Sequence, residues 1–534
     1  GLGRAASAGV TWVSKYFGWL FSGLTVAVFA FMLVVGYGKK GRIKLGTDDE
    51  KPEFSTGSWV AMLFSAGMGI GLLFFGPYEP LQFFLDLPPA FDVAEGSQKA
   101  ANAAIAQTFL HWGPLAWSYY ALVGGAIAYS AYRRGRMPLI SAIFAPIFGE
   151  RLAVPLGRII DIFAILVTLF GTAVSLGLGA LQIAHGAEIV TGLGPFGNSV
   201  IVMLMVVLAV AFIASAVSGV KRGIKMLSNI NMVLATGLGL FVFIAGPTLF
   251  ILNYVPSAIT TFVSSLGPML AVSGSAGPEA AQFMESWTTY YWAWWVSWTP
   301  FVGMFIAKIS RGRTLREFVT VVIVIPSIVC LLWFSTMGGT AIYMEAQGAG
   351  ISSVETSQEY LFKVLDNLPF TTLISIVATL SLVIFFVTSA DSASLVMSTI
   401  ASGGKPNPPK IMTITWGVAL AATGITLLIA GGEETVSALQ ALVTISALPF
   451  ALVLILMMVA WWKDLSTDPL MIRDKYARAA IDEGVRRGIR QHGDSFAFSS
   501  GATAPDRGAG SWFDSRDHTL TDWYQAAREA EPEE

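Results

Sequence analysis

The sequence predicts an all-α membrane protein: one peripheral transmembrane helix followed by two inverted five-helix repeats. Three observations predict it. Of the 534 residues, 54% are hydrophobic and only 13% are charged, with a mean hydropathy of +0.64; a soluble chain of this size carries roughly twice that charge. Eleven apolar runs are long enough to cross a ~30 Å hydrocarbon layer. A polar stretch divides the last ten into two groups of five, and because five is odd, two such groups insert with opposite orientation.

In chain order the runs fall at about 11–37, 57–85, 102–132, 157–187, 195–219, 225–252, 286–309, 315–344, 369–400, 409–431 and 435–462. The first is the peripheral helix, with its following loop residues 1–56; the first repeat is 57–254 and the second 286–463. Between them, 255–285 is rich in Gly, Ser and Pro, with Phe262, Leu266, Met269 and Leu270 on one side, and reads as an amphipathic connector along the outer membrane face. Alternate loops are basic: Lys39, Lys40, Arg42 and Lys44; Arg133, Arg134 and Arg136; Lys221, Arg222 and Lys225; Lys308, Arg311, Arg313 and Arg316; Lys405 and Lys410. The positive-inside rule makes these loops cytoplasmic, and with them the tail 464–534, which starts as a mixed-charge helix and turns Gly/Ser/Ala-rich. The first residues resemble neither a signal peptide nor a cytoplasmic start, as in a chain that begins inside a larger protein.

A net charge of −2 gives no basic surface for nucleic acid, and no zinc, phosphate-loop or nucleophile–base pattern supports an enzyme. The lone Cys330 excludes an internal disulfide and reads as inert packing. The densest signal is residues 287–300, where Trp287, Tyr291, Trp294 and Trp298 follow i, i+4, i+7, i+11 and Trp295 lies about 100° round the helix. An interfacial aromatic belt explains rings at the ends of a span, not Trp294 and Trp295 in its middle. Indole faces there suit a quaternary ammonium, at about 2 kcal/mol for a desolvated contact. In the second run, Gly67, Gly69 and Gly71 alternate instead of recurring every fourth residue, so they form no single packing face. They predict an unwound segment whose freed carbonyls, at Ser65 and Met68, suit sodium.

These residues, with His111, Trp112, Trp117 and Tyr120, residues 309–318 and Thr388 to Ser394, resemble the betaine/choline/carnitine transporter family over about residues 11–465, most closely its sodium-coupled glycine betaine symporters of actinobacteria. The resemblance implies a LeuT-like fold, a homotrimer, and two peripheral helices where this chain has one. It also implies an aromatic box of Trp112, Trp117, Tyr120 and Trp295, with Trp294 and Trp298 marking the outer and inner approaches and Ser175 in the substrate-binding set. Trp112, Tyr120 and Trp117 fit one helix, within an arc of roughly 140°. By resemblance one sodium meets Ser65, Met68, Phe385, Thr388 and Ser389, and a second meets Thr168, Thr172 and Phe301. The substrate carboxylate is expected on the Gly67–Gly71 amides, with Gly71 favouring a zwitterion over a bare cation.

The expected function is symport of sodium with a quaternary-ammonium osmolyte, glycine betaine first, at a bacterial cell membrane, with no cofactor beyond the coupling ions. Ectoine, proline, carnitine or choline as cargo, proton coupling or exchange, and an osmosensor whose tail signals remain as rivals. The tail holds 10 Lys/Arg against 14 Asp/Glu from Lys463 onward, unlike the strongly basic tail helix of the regulated symporters. His111 and His185 read as helix-end hydrogen-bonding residues, Asp391 equally as a structural cap or pair and as a transport residue, Glu79 as a residue of the outer mouth, and Arg311, Arg313 and Arg316 as topology signals, with the tail or anionic lipid as their alternative partners.

Overall fold

A computed structural model describes residues 2–218, 221–431, 435–499 and 501–504. The expected disordered end of the tail, beyond 504, lies outside the described residues. The peripheral helix is α1 (Leu2–Tyr37). The first repeat holds α2 (Thr56–Gly67) and α3 (Ile70–Leu85), α4 (Gln98–Trp112) and α5 (Pro114–Ala128), α6 (Ala145–Thr191, kinked at Gly149), α7 (Asn198–Ser218) and α8 (Lys221–Ala245). The connector carries α9 (Thr248–Ala271) and α10 (Pro278–Phe283). The second repeat holds α11 (Thr289–Ile309), α12 (Leu315–Ala346), the short α13 (Tyr360–Asp366), α14 (Thr371–Ala401), α15 (Lys410–Gly431) and α16 (Thr435–Ser466). The tail begins with α17 (Pro469–His492), capped by the Asp468 side chain.

Packing follows the repeat. The broken first span packs on the second span of the other repeat (α3 on α12), and its counterpart does the same (α11 on α5). Third spans meet each other (α6 on α14), fourth spans likewise (α7 on α15), and α16 on α6 is matched by α8 on α14. Exchange of the two repeats maps these pairs onto one another, while the packing of α11 on α16 has no match of like extent between α3 and α8. α1 lies outside this set, against α5, α11, α12 and α16.

Two expected spans differ in the structure. The 225–252 run is not one helix: α8 stops at Ala245 and α9 starts at Thr248, because Pro247 has no N–H to continue the ladder. The 102–132 run breaks at Gly113 (φ −95°, ψ −142°), where Pro114 opens α5, so Trp112 does not share a continuous helix with Trp117 and Tyr120. Among the described residues, nine helices are long and apolar enough to cross a membrane, and the α2–α3 pair, bent by 64°, is a tenth candidate. α9 is among the nine; it runs along α4, with Tyr254 Oη donating to the Ala101 carbonyl and the Phe262 ring 4.7 Å from Phe109. The α4–α5 pair and α11 are not among them. α5 and α11 are enclosed by other helices, and protein neighbours, unlike lipid tails, tolerate the Ser, Thr, Tyr and Trp they carry.

Four of the five basic loops gather at one end. Backbone bonds join Leu45 to Arg313 and Leu315 to Ile43, Arg311 pairs with Glu50 at 2.5 Å, and Gly404 abuts Leu139. The tail begins there too. The buried Arg133 guanidinium meets both Asp468 oxygens, Asp48 and the Gly46 carbonyl, while Arg136 pairs with Asp464. Arg313 is also more than a topology signal: its guanidinium lies 4.4 Å over the Trp59 ring and donates to Glu317 and to the Phe54 carbonyl.

Candidate functional site: an aromatic cavity at the broken span

α2 ends because Gly67 is followed by Met68 and Gly69 in extended conformation (Gly69 φ −176°, ψ −177°). Beyond the break, the first N–H groups of α3 have no carbonyl one turn back and point their positive end outward. A cavity opens at this point, lined on the backbone side by Met68, Gly69, Ile70, Gly71 and Leu72. Its remaining wall is Trp112, Ala116, Trp117, Tyr120, Ser175, Trp294, Trp295, Trp298, Val302 and Cys330.

The rings meet mostly edge to face. Trp112 and Trp295 lie 4.8 Å apart at 72°, Trp117 and Tyr120 5.1 Å apart at 63°, and Tyr120 and Trp295 6.3 Å apart at 76°. Trp294 stacks on Trp295 at 5.2 Å and 12°, and Trp298 stands edge-on to Trp294 at 6.2 Å. The four expected box residues thus come together, on three helices, and Trp294, Trp298 and Ser175 stand in the same wall. Gly71 is where the two sides meet: a Cβ there would lie 2.8 Å from Trp112 Cη2 and 3.2 Å from Trp294 Cη2. A Cβ on Gly69 would meet nothing within 4 Å. Two polar atoms of the wall, Ser175 Oγ and Trp294 Nε1, are buried without a hydrogen-bond partner among the described residues.

The two expected ion sites differ in how far the structure assembles them. Thr168 and Thr172 are buried on α6, and Gly171 between them receives α11 so closely that Trp298 Nε1 donates to its carbonyl at 3.0 Å. Phe301 lies one turn further along α11, 5.7 Å from Trp298, so this set is contiguous. In the other, Ser65 and Met68 end α2 while Phe385, Thr388 and Ser389 lie in mid-α14, and no hydrogen bond joins the two groups among the described residues. The Ser65 carbonyl accepts the Met68 N–H at 3.2 Å, so it is not wholly freed by the break. Thr388 Oγ1 donates to the Ile384 carbonyl at 2.8 Å and Thr168 Oγ1 to Ala164 at 2.7 Å, each one turn back. A hydroxyl that spends its proton on its own helix still turns lone pairs outward, which is what a hard cation needs.

Glu79 and Cys330 stand elsewhere than their sequence suggested, and His111, at the end of α4 as expected, does more than that position implies. Glu79 is fully buried, not at an outer mouth, and accepts from Trp112 Nε1 at 2.9 Å, from Tyr291 Oη, and from His111 Nδ1 at 2.8 Å. His111 is not a helix-end residue alone; its carbonyl takes the Trp295 N–H at 2.7 Å. Cys330 lies in the cavity wall. One signal was available for Glu79: with Leu72 and Phe75 it follows i, i+3, i+7, which turns it to the cavity side of α3. Asp391, inside α14, accepts from Ser215 Oγ of α7 at 2.7 Å, and His185 meets Glu188 at 3.1 Å near the end of α6.

Comparison with known proteins follows the same line. The model of the betaine/carnitine/choline family of transporters matches residues 1–470. A betaine/ectoine transporter of Corynebacterium glutamicum, LcoP, is 47% identical over 520 residues, 97% of this chain and 82% of that protein. The glycine betaine transporter OpuD of Bacillus subtilis is 40% identical over 468 residues (88% and 90%), and glycine betaine transporter 1 of Vibrio parahaemolyticus is 38% identical over 475 (87% and 89%). Among solved structures, a sodium-coupled sialic acid symporter shares 12% identity over 84% of this chain and 86% of that one, with a TM-score of 0.45. A multi-pass helical protein with a ring-lined cavity at a broken span, matched over nearly its whole length in this way, is a transporter and not an enzyme, and it belongs to the betaine/carnitine/choline transporter family.

Proposed function

We propose that this chain takes up a trimethylammonium zwitterion, glycine betaine, in symport with sodium. The observation that carries the reading is the joining of two unlike surfaces in one cavity. Indole and phenol faces from Trp112, Trp117, Tyr120 and Trp295 suit a cation with no proton to donate. Opposite them, the unpaired N–H groups that open α3 suit a carboxylate. The two charges of one small zwitterion would thus be met from two sides. The relatives named for betaine transport support the same cargo. Ectoine is the second reading, since the 47% identical relative is named for betaine and ectoine.

Sodium would draw Thr388, Ser389 and the Phe385 carbonyl of α14 toward the Ser65 and Met68 carbonyls, fixing the break that completes the substrate site, and a second ion would use Thr168 and Thr172. The repeats then rock about the filled cavity. The end that gathers four of the basic loops and the tail is read as cytoplasmic, and the assembly as a homotrimer. Radiolabelled glycine betaine uptake into proteoliposomes, with sodium flux counted in parallel, tests the proposal. Uptake that rises with an inward sodium gradient is expected. Equal uptake when potassium replaces sodium ends the coupling claim, and no uptake of betaine alongside uptake of ectoine ends the cargo claim.

A further inference from the structure

We infer that Glu79 is a positioning residue that, with His111, sets the two indoles forming the cation-facing wall; the inference rests on the reading of the cavity as a betaine site. Glu79 lies on α3, ten residues beyond the break, and its side chain has no exposure to solvent. A carboxylate in such a place is destabilising by several kcal/mol unless donors surround it. Three do, all from helices that wall the site: Trp112 Nε1 and His111 Nδ1 at the end of α4, and Tyr291 Oη on α11.

The proton positions follow from the partners. Gln107 Nε2, a donor only, lies 3.3 Å from His111 Nε2, and Thr288 Oγ1 lies 3.0 Å from the same nitrogen. His111 Nε2 therefore accepts, its proton sits on Nδ1, and Nδ1 donates to Glu79, which is the acceptor-only carboxylate. The imidazole is clamped flat, stacked on Tyr291 at 4.7 Å and 23°. From that fixed position the His111 carbonyl holds Trp295 Nε1 at 2.7 Å. One buried carboxylate thus orients Trp112 directly and Trp295 through one residue, although the two indoles come from different repeats. Trp298, by contrast, is held by the Gly171 carbonyl and is independent of this network.

Position and charge separate cleanly by substitution. Glu79→Gln keeps the reach: its amide oxygen still accepts from Trp112 and Tyr291, and its amide N–H donates to His111 Nδ1 once the imidazole proton moves to Nε2, where the Thr288 hydroxyl accepts it and the Gln107 amide turns its oxygen toward the ring. Glu79→Asp keeps the charge and draws the oxygens back by one methylene. Protein labelled with 5-fluorotryptophan is observed by fluorine NMR, the resonances of residues 112, 295 and 298 being assigned by Trp→Phe substitution at each. Glycine betaine half-saturation and maximal uptake rate are measured beside it. We expect Glu79→Asp to shift the Trp112 and Trp295 resonances, leave Trp298 in place, and raise the half-saturation constant at least tenfold while maximal rate changes less than threefold. Glu79→Gln should restore most of both readouts. Unmoved Trp112 and Trp295 resonances in Glu79→Asp overturn the inference, and so does a Gln variant more impaired than the Asp variant, which would make charge, not position, the property in use. If the unsubstituted protein takes up no betaine, the functional proposal fails, while the fluorine spectra still decide whether Glu79 sets the indoles.

Discussion

The first spans of the two repeats occupy equivalent places and have been built in opposite ways. In the first repeat the span is cut at Met68–Gly69 and bent by 64°, offering backbone N–H and carbonyl groups to the cavity. In the second, α11 runs unbroken from Thr289 to Ile309, through Pro300, and offers Trp294, Trp295 and Trp298. Neither type of surface suffices for a zwitterion. Rings hold a quaternary ammonium but give a carboxylate nothing, and a helix start holds an anion but has no affinity for methyl groups. The asymmetry between repeats that share one packing plan is therefore what gives the site two poles.

That contrast can be broken from either side, and the largest effect is expected where the two meet. Gly71→Val places a branched side chain against Trp112 and Trp294, within 2.8 Å and 3.2 Å at Cβ alone. Overpacking of about 3 kcal/mol converts to about a hundredfold loss of betaine uptake. Trp295→Leu removes one ring from the aromatic pole and should raise the betaine half-saturation constant about 30-fold, from ~2 kcal/mol of cation–ring attraction, with maximal rate preserved; unchanged uptake kinetics would remove the box from the proposal. Thr388→Val keeps shape and deletes one oxygen; sodium half-saturation should rise about tenfold, consistent with ~1.5 kcal/mol for one interaction with a charge, while betaine half-saturation at saturating sodium holds. Gly69→Ala sharpens the comparison by doing little. Its backbone is extended, a conformation any residue adopts, and its Cβ meets open space, so uptake within about twofold of wild type is expected.

Much of this was legible in the residues. A tryptophan stripe in mid-span and glycines at alternate positions are local features, and each names its own chemistry without knowledge of what lies opposite. The resemblance to a family supplied the partners, and the structure gathers Trp112, Trp117, Tyr120 and Trp295 as that resemblance implied. The local readings failed where the outcome depended on a distant neighbour. Glu79 beside Pro80 looked like a mouth residue because sequence spacing says nothing of the three donors that α4 and α11 bring to it. Pro247 and Gly113 break helices where the apolar runs continue across them, so hydropathy alone does not mark them.

The sequence alone determined that this is a membrane chain of helices, that one span must unwind at Gly67–Gly71, and that an aromatic face lies on another, since hydropathy and helical period are properties of consecutive residues. Tertiary structure decided which of those faces look at one another, why Gly71 and not Gly69 must lack a side chain, and how a buried carboxylate comes to hold two indoles from opposite repeats. Those are distances between residues as far apart in the chain as Gly71 and Trp294, and no periodicity encodes them; only the packing of the two repeats sets them.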